Sequence, residues 1–287
     1  MSENKVALVT GSGRGIGRDI AISLAEAGVR VVVNDPMTTA DGAHTADGVV
    51  AEIMASGGLA VANYDTVATF SGCEAMVNTA TTHFGRIDIV VNCAGNLVSA
   101  DISELTDDDI DRSIAVHVKG HLGTTKAAAK QMIEQGTGGR IIMFGSRAAF
   151  YGKKNPAYVA AKSAVMGITA KLARSLAPHQ ITVNCINPTA QTDLFPDTSR
   201  GKRGYGRGSK GRHPAPKEMR SDFVAPMIVY LTTSKTAANV TGRYVYASGG
   251  DILIFQEPLS FNDRNIFVRG DGKWTQEALE QTLPSLF

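Results

Sequence analysis

Tyr158 and Lys162 stand four residues apart in Tyr158-Val-Ala-Ala-Lys162. On a helix this spacing puts both side chains on one face, one turn apart. A phenol ordinarily ionises at about pH 10, and a neighbouring ammonium favours the phenolate. Such a pair is a usable general acid/base for a hydroxyl proton. Unaccompanied, the same spacing also describes an ordinary helix surface. Ser146 follows an apolar run, and a hydroxyl at a strand end can hold a substrate oxygen.

A second group of residues suits a phosphate. Thr10-Gly-Ser-Gly-Arg-Gly-Ile-Gly17 lies between an apolar run and an amphipathic one. Gly11, Gly15 and Gly17 let the backbone turn sharply and approach a pyrophosphate. A helix starting there adds free N–H groups and the positive end of its dipole. Asp35 lies 18 residues after Gly17. An acid at that place hydrogen-bonds an adenosine ribose and repels a 2′-phosphate, so NAD is expected rather than NADP. Arg14 argues the other way, because a cation beside the pyrophosphate can reach a 2′-phosphate.

These side chains need a frame. Apolar runs at Val6–Thr10, Arg30–Asn34, Leu59–Ala62, Ile87–Asn92, Arg140–Phe144, Thr182–Ile186 and Tyr244–Ala247 read as strands. Ile16–Ala27, Val49–Ala55, Cys73–His83, Asp107–Gln135 and Pro156–Leu176 read as the helices between them. Continuous apolar strands alternating with helices predict a parallel sheet covered on both faces, a doubly wound α/β fold. A polar insert at Asp35–Gly48 and a long loop at Pro188–Lys217 interrupt the rhythm. Asp251–Phe287 reads as an extension with one short helix at Thr275–Thr282.

The chain has 287 residues and 43% hydrophobic content, enough for a sizeable core. Its 29 basic and 27 acidic side chains nearly balance, which argues against a dedicated nucleic-acid binder. Seven of the cations lie between Arg200 and Lys217, where there is no acid. Cys73, Cys93 and Cys185 are too few for a disulfide scaffold and match no metal motif, which points to the cytoplasm. No secretory apolar stretch opens the chain, and no run of about 18 apolar residues suggests a membrane span. The final Ser-Leu-Phe differs from the peroxisomal Ser-Lys-Leu address.

Together, Thr10–Gly17, Asp65, Asn92-Cys-Ala-Gly95, Ser146, Tyr158–Lys162 and Pro188–Thr192 closely resemble the short-chain dehydrogenase/reductase family over roughly residues 5 to 250. The resemblance implies a single Rossmann domain with a seven-stranded parallel sheet, and hydride transfer between a nicotinamide and a carbinol or carbonyl carbon. Residues 1–250 are then the dinucleotide-binding and catalytic domain, with a basic lid loop at 189–217. Residues 251–287 pack on the same domain or on a neighbouring subunit. Tyr158 is the implied base for alcohol oxidation, Lys162 holds the nicotinamide ribose and tunes Tyr158, and Ser146 orients the substrate. Asp65 contacts the adenine, Asn92 supports the crevice and Thr192 binds the carboxamide. Ile16, Thr66, Ala94, Gly95 and Pro188 count with them as cofactor-binding. His117 stands where many members carry an Asn that completes a proton relay. It either serves that relay or is a buried structural histidine. The family also implies a homodimer or homotetramer.

Val32-Val-Asn-Asp35, Ala62-Asn-Tyr-Asp65 and His117 further resemble the dehydrogenase part of peroxisomal multifunctional β-oxidation enzymes. That implies NAD-dependent oxidation of a 3-hydroxyacyl-CoA, with a hydroxysteroid or cyclic alcohol as the alternative. A cationic lid suits a CoA ester, although a solvated loop with no ligand explains the same residues. Trp274 and Phe287 either cover a neighbouring subunit, wall the substrate pocket or pack in the core. The reading from another class is a non-catalytic NAD-binding partner subunit.

Overall fold

Val6–Thr10 (β1) carries nothing polar before Thr10, and all five residues are buried. Gly15–Glu26 (α1) follows at once and buries Ile20, Ala21 and Leu24 against the sheet. The alternation then repeats through Arg30–Asn34 (β2), Thr45–Ala55 (α2), Ala60–Asn63 (β3), Phe70–Phe84 (α3) and Ile89–Asn92 (β4). Asp107–Ser113 (α4), Gly120–Gln135 (α5), Gly139–Phe144 (β5), Ala148–Tyr151 (α6), Pro156–Leu176 (α7) and Ile181–Pro188 (β6) come next. Ala225–Thr233 (α8), Tyr244–Ser248 (β7), Asp251–Ile254 (β8), Ile266–Arg269 (β9) and Gln276–Thr282 (α9) complete it. This computed structural model describes residues 4–98, 100–151, 155–194, 218–255 and 266–287.

The strands form one sheet in the order β3-β2-β1-β4-β5-β6-β7-β8-β9. The first seven in that order run parallel. Two apolar clusters cover the two faces of the sheet, as continuous apolar strands require. The chain leaves β1 toward β2 and β3, then crosses back to β4 on the other side. This reversal opens a crevice at the carboxyl ends of β1 and β4, where ligands of such sheets bind.

The described sheet has nine strands, two more than the sequence suggested. Gly249, at φ +53°, and Gly250 turn the chain back, and β8 pairs antiparallel with β7. β9 pairs antiparallel with β8, and Arg269 clamps Asp251 across the pair. The acid at the head of Asp251-Ile-Leu-Ile254 disguises a strand whose four residues are all buried. Trp274 is core: its indole N–H donates to the Gly250 carbonyl at 2.8 Å. Phe287 packs partly buried on that same core cluster.

The single helix expected over Asp107–Gln135 is not uniform. Between α4 and α5 it widens over Ile114–Lys119 into a π-helical turn, which holds His117. Such local widenings accommodate one extra residue and recur at functional sites. The basic segment Arg200–Lys217 lies outside the described residues.

Candidate active site

The glycine loop is folded too tightly for side chains. A Cβ on Gly17 would stand 2.2 Å from the Gly11 carbonyl oxygen. One on Gly11, which sits at φ +65°, would stand 2.7 Å from Ala94 Cα. The loop therefore lies directly on the Asn92–Gly95 turn, and the Ala94 N–H donates to Thr10 Oγ1 at 3.1 Å. Arg14 is the N-cap of α1 and makes no side-chain cap bond. Its guanidinium instead reaches Asp193, 3.3 Å away. Thr192 faces the loop, with its Cγ2 3.5 Å from the Cβ position of Gly15. Pro188 ends β6 beside Ala247 of β7.

Asp35 is buried at the end of β2. Its carboxylate accepts the Gly13 N–H and the Met37 N–H, each at 3.0 Å. Two N–H donors leave lone pairs for hydroxyls. Asn34 links this strand end to Asp65, donating to the Asp65 carbonyl at 2.9 Å, while Asn63 donates to the Asp65 carboxylate at 2.8 Å. Thr66 is exposed, and its hydroxyl accepts the Ala68 N–H. Asn92 is fully occupied in the frame: it donates to Thr125 at 3.3 Å and accepts from Thr124. The loop, Asp35, Asn92, Ala94 and Thr192 thus meet around the ends of the central strands, with Asp65 at the edge.

Ser146, Tyr158 and Lys162 come together at the end of β5. The Ser146 and Tyr158 hydroxyls are hydrogen-bonded. The Lys162 ammonium lies 5.7 Å from the centre of the Tyr158 ring and donates to the Phe144 carbonyl at 2.6 Å. His117 meets the Tyr158 ring edge-on, with ring centres 5.3 Å apart. Its Nε2 lies 2.9 Å from the Asn96 carbonyl, and its Nδ1 is buried with no hydrogen-bond partner among the described residues. A Cβ on Gly95 would come within 2.9 Å of this ring, so the Asn92–Gly95 turn also packs against His117.

Burial dominates the protonation of this group. It pushes the Tyr158 phenol up to about 12, and the Ser146 hydrogen bond offsets this only in part. Burial also brings Lys162 down to about 8. His117 is held down to about 3 by burial and then by the Lys162 charge. The expected lowering of the phenol by its ammonium neighbour is not seen in the protein alone, where burial leads: the phenol is protonated and His117 neutral at pH 7. Loss of water around the charged phenolate is the leading effect.

One residue here carried no signal of its own in the sequence reading. His121 is fully enclosed, and its Nε2 accepts the Phe144 N–H at 3.3 Å. Its place four residues after His117, on the same helical face, was the available clue. Among the described residues, no group of three His, Cys, Asp or Glu side chains could hold a metal. No described helix is long and apolar enough to cross a membrane.

Comparison with known proteins agrees with this geometry. The family model for short chain dehydrogenase matches residues 5–202. Peroxisomal multifunctional enzyme type 2 of Mus musculus is 42% identical over 234 residues, covering 80% of this chain but only 30% of its own length. A short chain dehydrogenase from Mycobacterium avium superimposes with a TM-score of 0.76 at 31% identity, covering 99% of this chain and 95% of that one. A blue fluorescent protein from a metagenomic library, in complex with NADPH, superimposes with a TM-score of 0.73 at 29% identity, covering 85% of this chain and 96% of that one.

Proposed function

This chain belongs to the short-chain dehydrogenase family, and from that premise we propose that it interconverts a bulky secondary alcohol and its ketone with NAD, acting on a 3-hydroxyacyl-CoA-like substrate. The family acts on CH–OH groups, so the chain is an oxidoreductase. The observation that carries the reading is the meeting of Ser146, Tyr158 and Lys162 beside a side-chain-free cradle at one end of the sheet.

The residues present fit a dinucleotide. The glycine loop and the open start of α1 would hold the pyrophosphate, Asp35 the adenosine ribose, and Thr192 the nicotinamide carboxamide. When bound, the nicotinamide accepts the hydride in oxidation and donates it in reduction. Ser146 orients the substrate oxygen by a hydrogen bond. Tyr158 removes the hydroxyl proton in oxidation and returns it in reduction. Lys162 sets the charge that this proton transfer works against, and a second positive charge in the crevice draws the phenol further down from its value in the free protein. Asn92, locked by Thr124 and Thr125, keeps the crevice open.

Preference for NAD rests on Asp35, whose carboxylate would face a 2′-phosphate directly. The NADPH-bound neighbour and Arg14 mark the competing outcome. The acyl-CoA class rests on the multifunctional relative and on the cations between Arg200 and Lys217. The three thiols fit a reducing compartment, the cytoplasm. Exposed Ile110, Ile114, Leu122 and Ile133, along α4, the π-helical turn and α5, support a homodimer or homotetramer. The substrate class is tested by replacing the cations of 200–217 with alanine. The KM for a hydroxyacyl-CoA is expected to rise about tenfold or more, with little change for its simple ester, as expected for lost charge-assisted phosphate contacts. Equal effects on both, or turnover of hydroxysteroids alone, would reject the CoA ester.

A further inference from the structure

Two arginines stand at the start of α1, and each is held by carboxylates. Arg18 bonds Asp19 at 3.0 Å and Glu52 at 2.6 Å. Arg14 reaches Asp193, 3.3 Å away and 179 residues later in the chain. Yet Arg14 directly follows Gly13, whose N–H donates to the Asp35 carboxylate at 3.0 Å. The Arg14 backbone thus lies beside Asp35, while its guanidinium pairs with a different acid. The two acids belong to different sides of the loop. A Cβ on Gly13 would stand 2.9 Å from Asp35 Oδ2 and 2.7 Å from Thr45 Cβ, whereas the Cβ position of Gly15 lies 3.5 Å from Thr192 Cγ2. Asp193 directly follows Thr192. The segment that presents it is fixed just before, where the Gln191 N–H donates to the Met219 carbonyl at 2.7 Å.

From this we infer that Asp193 is a specificity-determining residue for the dinucleotide: it holds the Arg14 guanidinium on the Thr192 side of the glycine loop and so keeps it from the Asp35 side, where a 2′-phosphate would lie. The inference rests on the reading above that places a dinucleotide on this loop with its adenosine ribose at Asp35. A guanidinium released beside Asp35 would offset the charge of that carboxylate and offer paired N–H donors to a phosphate. Two acids then favour NAD by different routes. Asp35 repels the 2′-phosphate directly, and Asp193 withholds the cation that would attract it. An arginine in the glycine loop therefore argues for NADP only where no acid holds it. The Arg14 and Asp193 side chains are 48% and 77% exposed, so water competes for both charges. The restraint accordingly acts as a bias of a few-fold and not as an absolute block.

The test compares Asp193→Asn, which removes the charge and keeps the shape, with Asp193→Glu, which keeps the charge. Asp193→Asn is then repeated in an Arg14→Ala background. The quantity read is the affinity of the substrate-free protein for NADH and for NADPH, from the fluorescence of the bound nucleotide at low ionic strength. Asp193→Asn is expected to tighten NADPH about three- to fivefold, the size of an exposed ion pair, and to change NADH by less than about twofold. Asp193→Glu is expected to stay within about twofold of the wild type for both. In the Arg14→Ala background, Asp193→Asn is expected to leave NADPH affinity where Arg14→Ala puts it, because there is no cation to release. Unaltered NADPH affinity in Asp193→Asn overturns the inference, since the pair then restrains nothing. Equal tightening of NADH, or the same gain in NADPH affinity without Arg14, also overturns it, since Asp193 then acts by its own charge. A wild type that binds neither dinucleotide would defeat the dinucleotide reading and the inference with it. A wild type that binds NADH but oxidises no alcohol would defeat the hydride-transfer reading alone, and the NADPH titrations would still decide the role of Asp193.

Discussion

The Lys162 ammonium stands 5.7 Å from the centre of the Tyr158 ring, yet its hydrogen bond goes to the backbone of Phe144. The amine's hydrogen bond thus goes to the end of β5 and not to the phenol. Both groups are buried, and burial moves each toward its neutral form: Tyr158 up to about 12, Lys162 down to about 8.

Lys162→Met is expected to separate activity from stability. Turnover falls by about a hundredfold or more, as for loss of a group that tunes a general base. At pH 7 the variant is expected to be at least as resistant to urea as the wild type, because it no longer buries an ammonium. The folded-state pKa of Lys162 is about 8 against its ordinary value of 10.5. The unfolded chain therefore binds more protons between these values, and wild-type stability rises with pH through that window by at most about 1.4 kcal/mol per pH unit. Urea midpoints across the window are expected to climb less for Lys162→Met. A parallel climb would show that Lys162 is not the titrating group.

Acid should expose His117. Its folded-state pKa of about 3 lies below the ordinary 6.5. Stability is thus complete above about pH 6.5 and is lost as the pH falls toward 3, because the unfolded imidazole protonates first. His117→Asn is expected to flatten urea midpoints in that range by up to about 1.4 kcal/mol per pH unit, leaving the contribution of His121. An unchanged slope would mean that His117 is solvated or already charged in the folded protein.

Asp35→Ala has two expected consequences. The ratio of kcat/KM for NAD over NADP falls by about tenfold or more, since a carboxylate no longer faces the 2′-phosphate. Stability falls by about 1–3 kcal/mol, because the Gly13 and Met37 N–H groups lose their acceptor. Kinetics with both dinucleotides and a thermal melt read the two effects. An unaltered preference would assign Asp35 to loop structure alone.

Much of the site was legible in the residues. Tyr158 and Lys162 share a helical face because a helix repeats every 3.6 residues. The glycine loop stood between a strand and a helix, so its tight turn followed from its context. Asp35 was legible as an acid at the end of β2, but its bonds to Gly13 and Met37 depend on how the insert folds back. The π-helical turn at His117 and the hairpin at Gly249-Gly250 come from tertiary packing, which local periodicity does not report. The raised phenol of Tyr158 is also a tertiary effect: it arises from how many elements close over one ring.

The most direct measurement is NADH formation by the wild type and by Tyr158→Phe on a panel of 3-hydroxyacyl-CoA and hydroxysteroid substrates, with NADH binding followed in parallel. The wild type is expected to produce NADH. The variant is expected to lose about a thousandfold in rate, as for removal of a general base, while binding NADH within about threefold of the wild type. A Tyr158→Phe protein that turns over at the wild-type rate, or a wild type that binds NADH but oxidises nothing on the panel, would contradict the proposed chemistry.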